Sequence, residues 1–480
     1  MTTLSTEAAL EEAINGLRNS NPSASAATTF LPWQRNTLLT LTAAAVAGLV
    51  FATRVAVVVL CLIVTLLYLW TLLDRLVVFY RGLDADAILT VSDQEARSIP
   101  DDELPVYTVL VPAYHEPEVV SQLMTSMAAL DYPPAKLDVL LLLEADDEIT
   151  IAAAERAGIS GSIRVVLVPA ADPRTKPKAC NYGLLLAHGD LTTIYDAEDH
   201  PEPLQLRRVV AALRRLPANV ACVQAKLAFH NGRQNLLTAW FTTEYGLWFG
   251  YLLPGLMRTH SPIPLGGTSN HIRTSVLREL GAWDPFNVTE DADLGMRIAI
   301  AGYTTAVLDS TTVEEANSDP INWIRQRSRW YKGYLQTWLV HTRHPVRTWR
   351  SLGTVQFMRM NLILAGTPLT ACLNLVFWFA TLAWIFGQPQ VVADAFPPFT
   401  YYIALICLLF GNASTLFCNL IGARASGNSN LLLACLTVPL YWVLMGVAAT
   451  KGCWQLIRNP AYWEKTFHGL DVAQGPEDAK

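Results

Sequence analysis

Three short polar stretches have residue types and spacings that suit acid–base and metal-assisted chemistry. Asp196-Ala197-Glu198-Asp199 closes an apolar run. Carboxylates this close together repel unless a cation joins them, and Mg2+ or Mn2+ accepts such oxygens beside substrate phosphates. A solvated acidic turn has the same composition. Thr289-Glu290-Asp291 precedes the apolar-periodic stretch 294–301. It reads as a helix start, with Thr289 as cap and acids suited to the dipole. It also reads as a general base, because a carboxylate held among carboxylates and a diphosphate has a raised proton affinity. Gln326-Arg327-Ser328-Arg329-Trp330 places Gln326, Arg329 and Trp330 on one helical face. An arginine there offers charge-assisted hydrogen bonds and a tryptophan an apolar ring face. The alternative is a basic-aromatic helix anchored on lipid headgroups. Arg325 and Arg327 point elsewhere and fit that alternative better.

Two further stretches add weight by position. Lys176 and Lys178 precede a helix start, a natural phosphate-facing site or a solvated loop. Gly266-Gly267-Thr268 permits close backbone approach to a ligand.

The elements that must hold these residues alternate. Short buried strands are predicted at 107–112, 137–143, 163–169 and 191–195, with helices at 116–130 and 178–188. That order implies a doubly wound, mostly parallel α/β sheet, which binds ligands beyond the carboxyl ends of its strands. Tyr114 and Glu116, Asp146 and Asp147, and Asp196, Glu198 and Asp199 follow those ends.

Composition sets the surroundings. The chain has 480 residues, 52% hydrophobic and 16% charged, which points to a membrane protein. The net charge of −6 gives no support for a nucleic-acid partner. The 8 cysteines lack CxxC or CxxH spacing and read mostly as small hydrophobes. Residues 1–35 read as a short amphipathic helix and a loose linker, not a signal peptide. Runs 37–53 and 55–73 are expected to form a membrane-spanning hairpin (36–74). Arg75 and Arg81 after it, and Arg343, Arg347, Arg350 and Arg359 before the run 361–386, place the block 84–350 in the cytoplasm. Runs 400–421 and 431–450 follow, giving a C-terminal membrane region at 355–450. Three simple spans would leave the tail outside, whereas Lys451, Arg458 and Lys465 argue for inside. Two arrangements reconcile these: one run is interfacial, or the region 361–386 is broken at Pro368. The aromatic stretch 240–256 reads either as an interfacial helix or as a buried one.

The order of Pro-Ala-Tyr-His-Glu (112–116), Asp-Asp (146–147), Lys-Pro-Lys-Ala-Cys-Asn (176–181), Asp-Ala-Glu-Asp, Gly-Gly-Thr, Thr-Glu-Asp and Gln-Arg-Ser-Arg-Trp resembles the membrane-embedded processive branch of family 2 glycosyltransferases. Cellulose, curdlan and hyaluronan synthases and bacterial exopolysaccharide synthases belong to that branch. The resemblance covers roughly 105–345. It implies a GT-A fold between transmembrane helices, a UDP-sugar donor, Mg2+ or Mn2+, inversion at the anomeric carbon, and a place in the bacterial inner membrane. Carried over by position, Ala113, Tyr114, Glu116, Asp146 and Lys178 hold the donor, and Asp196 and Glu198 (or Asp199) bind metal. Asp291 is the base. Gln326, Arg329 and Trp330 meet the diphosphate and acceptor, and Gly267, Thr268 and Glu290 the acceptor. The tail 462–469 resembles a gating loop, with Lys465, Thr466 and His468 near the diphosphate and 451–480 cytoplasmic. The implied partners are the donor, a growing polysaccharide acceptor, the bilayer, and a regulatory or export protein, because no stretch has the size of a cyclic-dinucleotide domain. Two competing functions are a single-sugar transferase to a lipid carrier and a non-catalytic polymer-export protein.

Overall fold

The computed structural model describes residues 5–464 except 119, 159–162, 426, 428–430 and 461. Its centre is an eight-stranded sheet of order β3-β2-β1-β4-β7-β6-β8-β5. The strands are β1 (Tyr107–Ala113), β2 (Leu137–Glu144), β3 (Ile163–Val168), β4 (Leu191–Ile194), β5 (His200–Pro201), β6 (Val220–Phe229), β7 (Asn270–Arg273) and β8 (Thr304–Glu314). The half β3-β2-β1-β4 is parallel, with Tyr107 opposite both Leu137 and Leu191. β7 then runs antiparallel to β4 and to β6, so the sheet is mixed rather than mostly parallel throughout. β8 is parallel to β6 and antiparallel to β5.

Alternation explains the layers. Tyr107, Val109, Val111 and Ala113 of β1 face one apolar cluster, with Leu206, Val209 and Leu213 of the helix Gln205–Arg215. Leu110, Leu140 and Leu142 face the other. That second face is covered by the helix Lys176–Leu185, by the helix Glu290–Ile300, and by the helical run Leu236–Leu247, Trp248–Leu252, Leu253–Arg258 with its π turn in the middle. Strand residues turned both ways into apolar layers read in sequence as continuous hydrophobic runs. The aromatic stretch therefore has the burial of a core helix: Trp240, Phe241, Phe249 and Leu253 are all buried.

Among the described residues, four helices are long and apolar enough to cross a membrane: Thr53–Gly82, Thr354–Gly387, Pro398–Arg424 and Leu432–Arg458. Pro32–Phe51 packs against the first of these and exposes Leu39, Leu41, Val50 and Phe51. The sheet domain is joined to Thr53–Gly82 by a backbone-to-backbone crossing. A β-carbon at Gly255 would overlap the Val78 carbonyl oxygen, and one at Gly82 that of Tyr251. Gly255→Ala is therefore expected to separate the two helices, at a cost of about 1–3 kcal/mol, the usual range for overpacking. A thermal-melting midpoint equal to wild type would contradict this crossing.

Leu432–Arg458 behaves unlike a simple span. It runs beside the helix Pro320–His341 from Tyr441 against Trp323, past Gly452 at the Ser328 carbonyl, to Leu456 among Leu335 and Leu339. Both of its ends touch the sheet domain.

The N-terminal segment is ordered rather than loose. The helix Thr6–Ser20 buries Ala13 and Leu17 and packs on the helix Lys176–Leu185, where Asn181 donates to the Ala13 carbonyl at 2.9 Å. Beyond it, Ser25 Oγ and Ala26 N–H donate to the buried Asp284, at 3.2 and 2.5 Å. Arg343 donates to the Pro22, Ser23 and Thr28 carbonyls.

Candidate active site

The strand ends open into one cavity of about 630 Å³. Ala113, Tyr114 and Glu116 line it from the end of β1, and Asp196 and Glu198 from the end of β4. Gly267 and Thr268 come from the loop before β7, Glu290 and Asp291 from the first turn of Glu290–Ile300, and Gln326, Arg329 and Trp330 from Pro320–His341.

The acidic turn after β4 divides its carboxylates between folding and the cavity. Asp199 is fully buried, accepting the Asp196 N–H at 2.8 Å and the Thr268 hydroxyl. Burial and Asp196 push its carboxyl well above the usual range. Asp199 thus holds the turn to the loop 266–268, and Asp196 with Glu198 faces the cavity. This chooses Glu198 over Asp199 as the second outward carboxylate. Among the described residues no three His, Cys, Asp or Glu side chains close around one metal position. The protein offers a carboxylate pair, a donor set that suits Mg2+ or Mn2+ once substrate phosphate oxygens complete it.

Lys176 corrects the reading of the two lysines. Its ammonium donates to Asp196 Oδ1 at 2.5 Å and to the Gly267 carbonyl at 2.7 Å, inside the cavity. Lys178 does not line the cavity. It is fully buried, donating to Glu144 at 2.8 Å and to the Ala171 carbonyl at 3.0 Å. Residues i and i+2 of a helix point to different sides, so only one could face the strand ends. Asp146 stands outside the lining, bonded at 2.5 Å to Arg174, which reaches the Tyr114 hydroxyl at 3.3 Å and does line it. Asp147 is a buried cap for Thr150 N–H and His115 N–H, at 3.2 and 2.5 Å.

Asp291 sits in a first helical turn whose cap position is Thr289, although Thr289 makes no side-chain cap bond. Instead Asn287 Oδ1 accepts the Thr289 N–H at 3.1 Å. The next acid, Asp293, is fully buried between Arg297 at 2.8 Å and His341 at 2.9 Å. That contact ties the helix of Asp291 to the helix of Gln326, Arg329 and Trp330. Burial pushes the Asp291 carboxyl up to about 6, while Lys176 and Arg329 draw it down. Glu290 is pushed higher still, by burial and then by Asp291, so the two carboxyls titrate as a pair with Asp291 the more acidic member. A carboxylate serving as a general base acts in its ionised form, above its pKa, and not below it, which makes the pH profile a test of Asp291 in that role. The rate should be level above about pH 6 and fall about tenfold per unit below it. A rate unchanged from about pH 7 to pH 5 would contradict the assignment.

Arg329 lies over the Trp463 ring at 4.7 Å and donates to the Glu464 carbonyl at 3.4 Å. Lys332 donates to the Tyr462 carbonyl, and Gln336 to that of Pro460 at 3.0 Å. The start of the tail thus lies on the cavity's side of the molecule. Lys465, Thr466 and His468 fall outside the described residues.

The cavity continues toward the apolar helices, where Thr415, Asn419, Val438, Trp442 and Met445 line it. Here Arg327 corrects its own reading as a lipid anchor. It is buried, forms a bidentate pair with Glu244 at 2.9 and 2.7 Å, and lies over the Trp330 ring at 4.6 Å. Tyr441 donates to Glu244 at 2.7 Å. Glu314 and Glu315, at the end of β8, were also missed. Their only signal in the sequence is a carboxylate pair closing the short β-branched run Thr311-Thr312-Val313. Glu244 offered another, as an acid inside an aromatic run.

Residues 105–333 match the family described as glycosyltransferase like family 2. The mixed sheet is a GT-A-like Rossmann fold, and the family match covers just under half of the chain. The chain is similar to a probable glycosyltransferase, YdaM, of Bacillus subtilis (strain 168), with 27% identity over 48% of this chain and 56% of that protein. It is 25% identical to a beta-monoglucosyldiacylglycerol synthase of Trichormus variabilis over 58% of this chain and 60% of that one. It is 26% identical to probable glucomannan 4-beta-mannosyltransferase 1 of Arabidopsis thaliana over 50% and 45%. The chain thus spans about half the length of these curated relatives. A solved mannosyltransferase of Pyrobaculum calidifontis, in complex with GDP-mannose and Mn2+, aligns with 81% of this chain and 98% of its own at a TM-score of 0.48 and 20% identity.

Proposed function

We propose that the protein is an inverting, processive glycosyltransferase of the cytoplasmic membrane, polymerising a UDP-sugar, first of all UDP-glucose, into a β-linked polysaccharide. The observation that carries this reading is the continuity of the cavity. One space joins the strand-end residues Tyr114 and Glu116, the carboxyl group of Asp291, and an aromatic-lined end among helices apolar enough to span a membrane. Tryptophan and tyrosine faces with interspersed hydroxyl and amide groups suit a sugar chain.

In this reading Asp291 takes the proton of an acceptor hydroxyl. The freed oxygen attacks the anomeric carbon from the side opposite the diphosphate, and the bond to the diphosphate breaks with its electron pair leaving on UDP. Arg329 and Lys176 face the charge that develops there. Asp196 and Glu198 are the residues that would hold Mg2+ or Mn2+, which when bound neutralises diphosphate charge. Gly267, Thr268, Glu290 and Trp330 border the acceptor, with Trp330 offering its ring face to the sugar. Ala113 lies against the uracil ring of the donor, and Gln326 orients the leaving group. In membrane terms, Pro32–Phe51 with Thr53–Gly82, and Thr354–Gly387 with Pro398–Arg424, cross out and back. Leu432–Arg458 lies along the cytoplasmic surface, which returns the tail to the side of the active site and agrees with Lys451 and Arg458.

A second reading has a specific observation behind it. Ile363, Val438 and Met445 give the far end of the cavity apolar walls as well, and one relative is named for a glycolipid product. A lipid acceptor would enter there and receive a single sugar. Product analysis separates the two: purified protein with radiolabelled UDP-glucose and Mg2+ should give alcohol-insoluble, β-glucanase-sensitive polymer. Label recovered only in chloroform-soluble monoglycosylated lipid would replace the polymer reading with the lipid one.

A further inference from the structure

The arginines between Pro320–His341 and the next apolar helix have unequal fates. Arg359 is buried and consumed by Asp74, at 2.6 and 3.0 Å, and by Ser261. Arg343 is buried and consumed by the Pro22, Ser23 and Thr28 carbonyls. Arg347 and Arg350 are exposed, on the amphipathic helix Pro345–Leu352, and have no carboxylate partner among the described residues. They line a shallow groove with Trp33, His344, Ser351 and the edge of Arg343. No acidic residue lines it, in a chain whose net charge is −6.

The groove's position defines what meets it. Trp33 opens the apolar helix Pro32–Phe51, and Pro345–Leu352 leads directly into Thr354–Gly387, which is long and apolar enough to cross a membrane. Val346, Trp349 and Val355 are exposed beside the arginines. Exposed tryptophans, valines and unpaired arginines where two apolar helices begin form an interfacial arrangement: apolar side chains enter the acyl boundary and guanidinium groups sit at headgroup depth. An arginine fork matches a phosphate oxygen pair.

We propose that this groove binds the phosphate headgroup of an anionic phospholipid. The lipid is phosphatidylglycerol-like rather than zwitterionic, because the groove supplies cations and no carboxylate to pair with a choline or ethanolamine ammonium. The site is separate from the sugar-transfer cavity. It stands beside the C-terminal end of the helix that carries Arg329, since Gln34, one residue after Trp33, donates to the Leu339 carbonyl at 2.8 Å.

The test is native mass spectrometry of the full-length protein in detergent, titrated with phosphatidylglycerol or with phosphatidylcholine of the same acyl chains. Wild type should favour phosphatidylglycerol. R347Q/R350Q should weaken phosphatidylglycerol binding roughly 25-fold, about fivefold per arginine, and leave phosphatidylcholine binding unchanged. UDP binding serves as the check on folding. Should R347Q/R350Q lose UDP binding, R347K/R350K decides, and it should keep most of the lipid preference. The proposal is overturned if the folded variant retains wild-type affinity, if wild type does not distinguish the two lipids, or if inorganic phosphate displaces the lipid at equal concentration.

Discussion

Asp291→Asn should lower kcat by about 10³–10⁴-fold while UDP binding stays near wild type. Asparagine keeps the size of the side chain and can still accept the Ala292 N–H, which Asp291 Oδ1 accepts at 2.7 Å. It cannot take a proton at neutral pH. On the proposed reading the donor is held on the strand-end side of the cavity, at Ala113, Tyr114 and Glu116, and not by this carboxylate. The effect should therefore fall on turnover and spare donor affinity, as expected for an interaction used only in the transition state. Isothermal titration with UDP and steady-state rates measure the two separately. Turnover within about tenfold of wild type would remove Asp291 as the base.

Arg329→Ala should cost about 10²–10³-fold in kcat, the range for losing one preorganised group at a developing charge. Arg329 is held from both sides: the Trp463 ring packs on its guanidinium at 4.7 Å and the Glu464 carbonyl accepts from it at 3.4 Å. Burial draws its proton affinity down, and Glu290, Asp291 and Asp196 oppose that. The charge is poised rather than neutralised by one partner. Arg329→Lys should recover part of the rate, because it restores charge without the planar fork. Both variants should also free the residues around Trp463, seen as faster amide exchange at 462–464. If Arg329→Ala loses little rate but exchange rises, Arg329 is a clasp for the tail and not a leaving-group contact.

How far the sequence could be read depended on the range of the forces involved. β1 to β4 were legible because each is a short apolar run ending at polar residues. β7 was not: Asn270–Arg273 is four residues with no alternation, and only its pairing with Thr192 and Cys222 makes it a strand. Lys176 and Lys178 differ by a helical rotation that composition does not reveal. The N-terminal order comes from Asp284 and Arg343, hundreds of residues away, acting on backbone groups that have no sequence signature. Leu432–Arg458 is as apolar as a span, and what distinguishes it is the neighbouring helix Pro320–His341 along its length. Asp291, Arg329 and Trp330 could be singled out from residue type and helical spacing, and the fold brings those faces to one cavity.

The central claim is that this cavity transfers a sugar from a nucleotide. Nucleotide release by the purified protein, reconstituted in lipid with Mg2+ or Mn2+ and tested with UDP-glucose, other UDP-sugars and GDP-mannose, measures that claim most directly. The account predicts steady release of UDP from UDP-glucose, abolished by Asp291→Asn. No release above the Asp291→Asn background with any of these donors would contradict it.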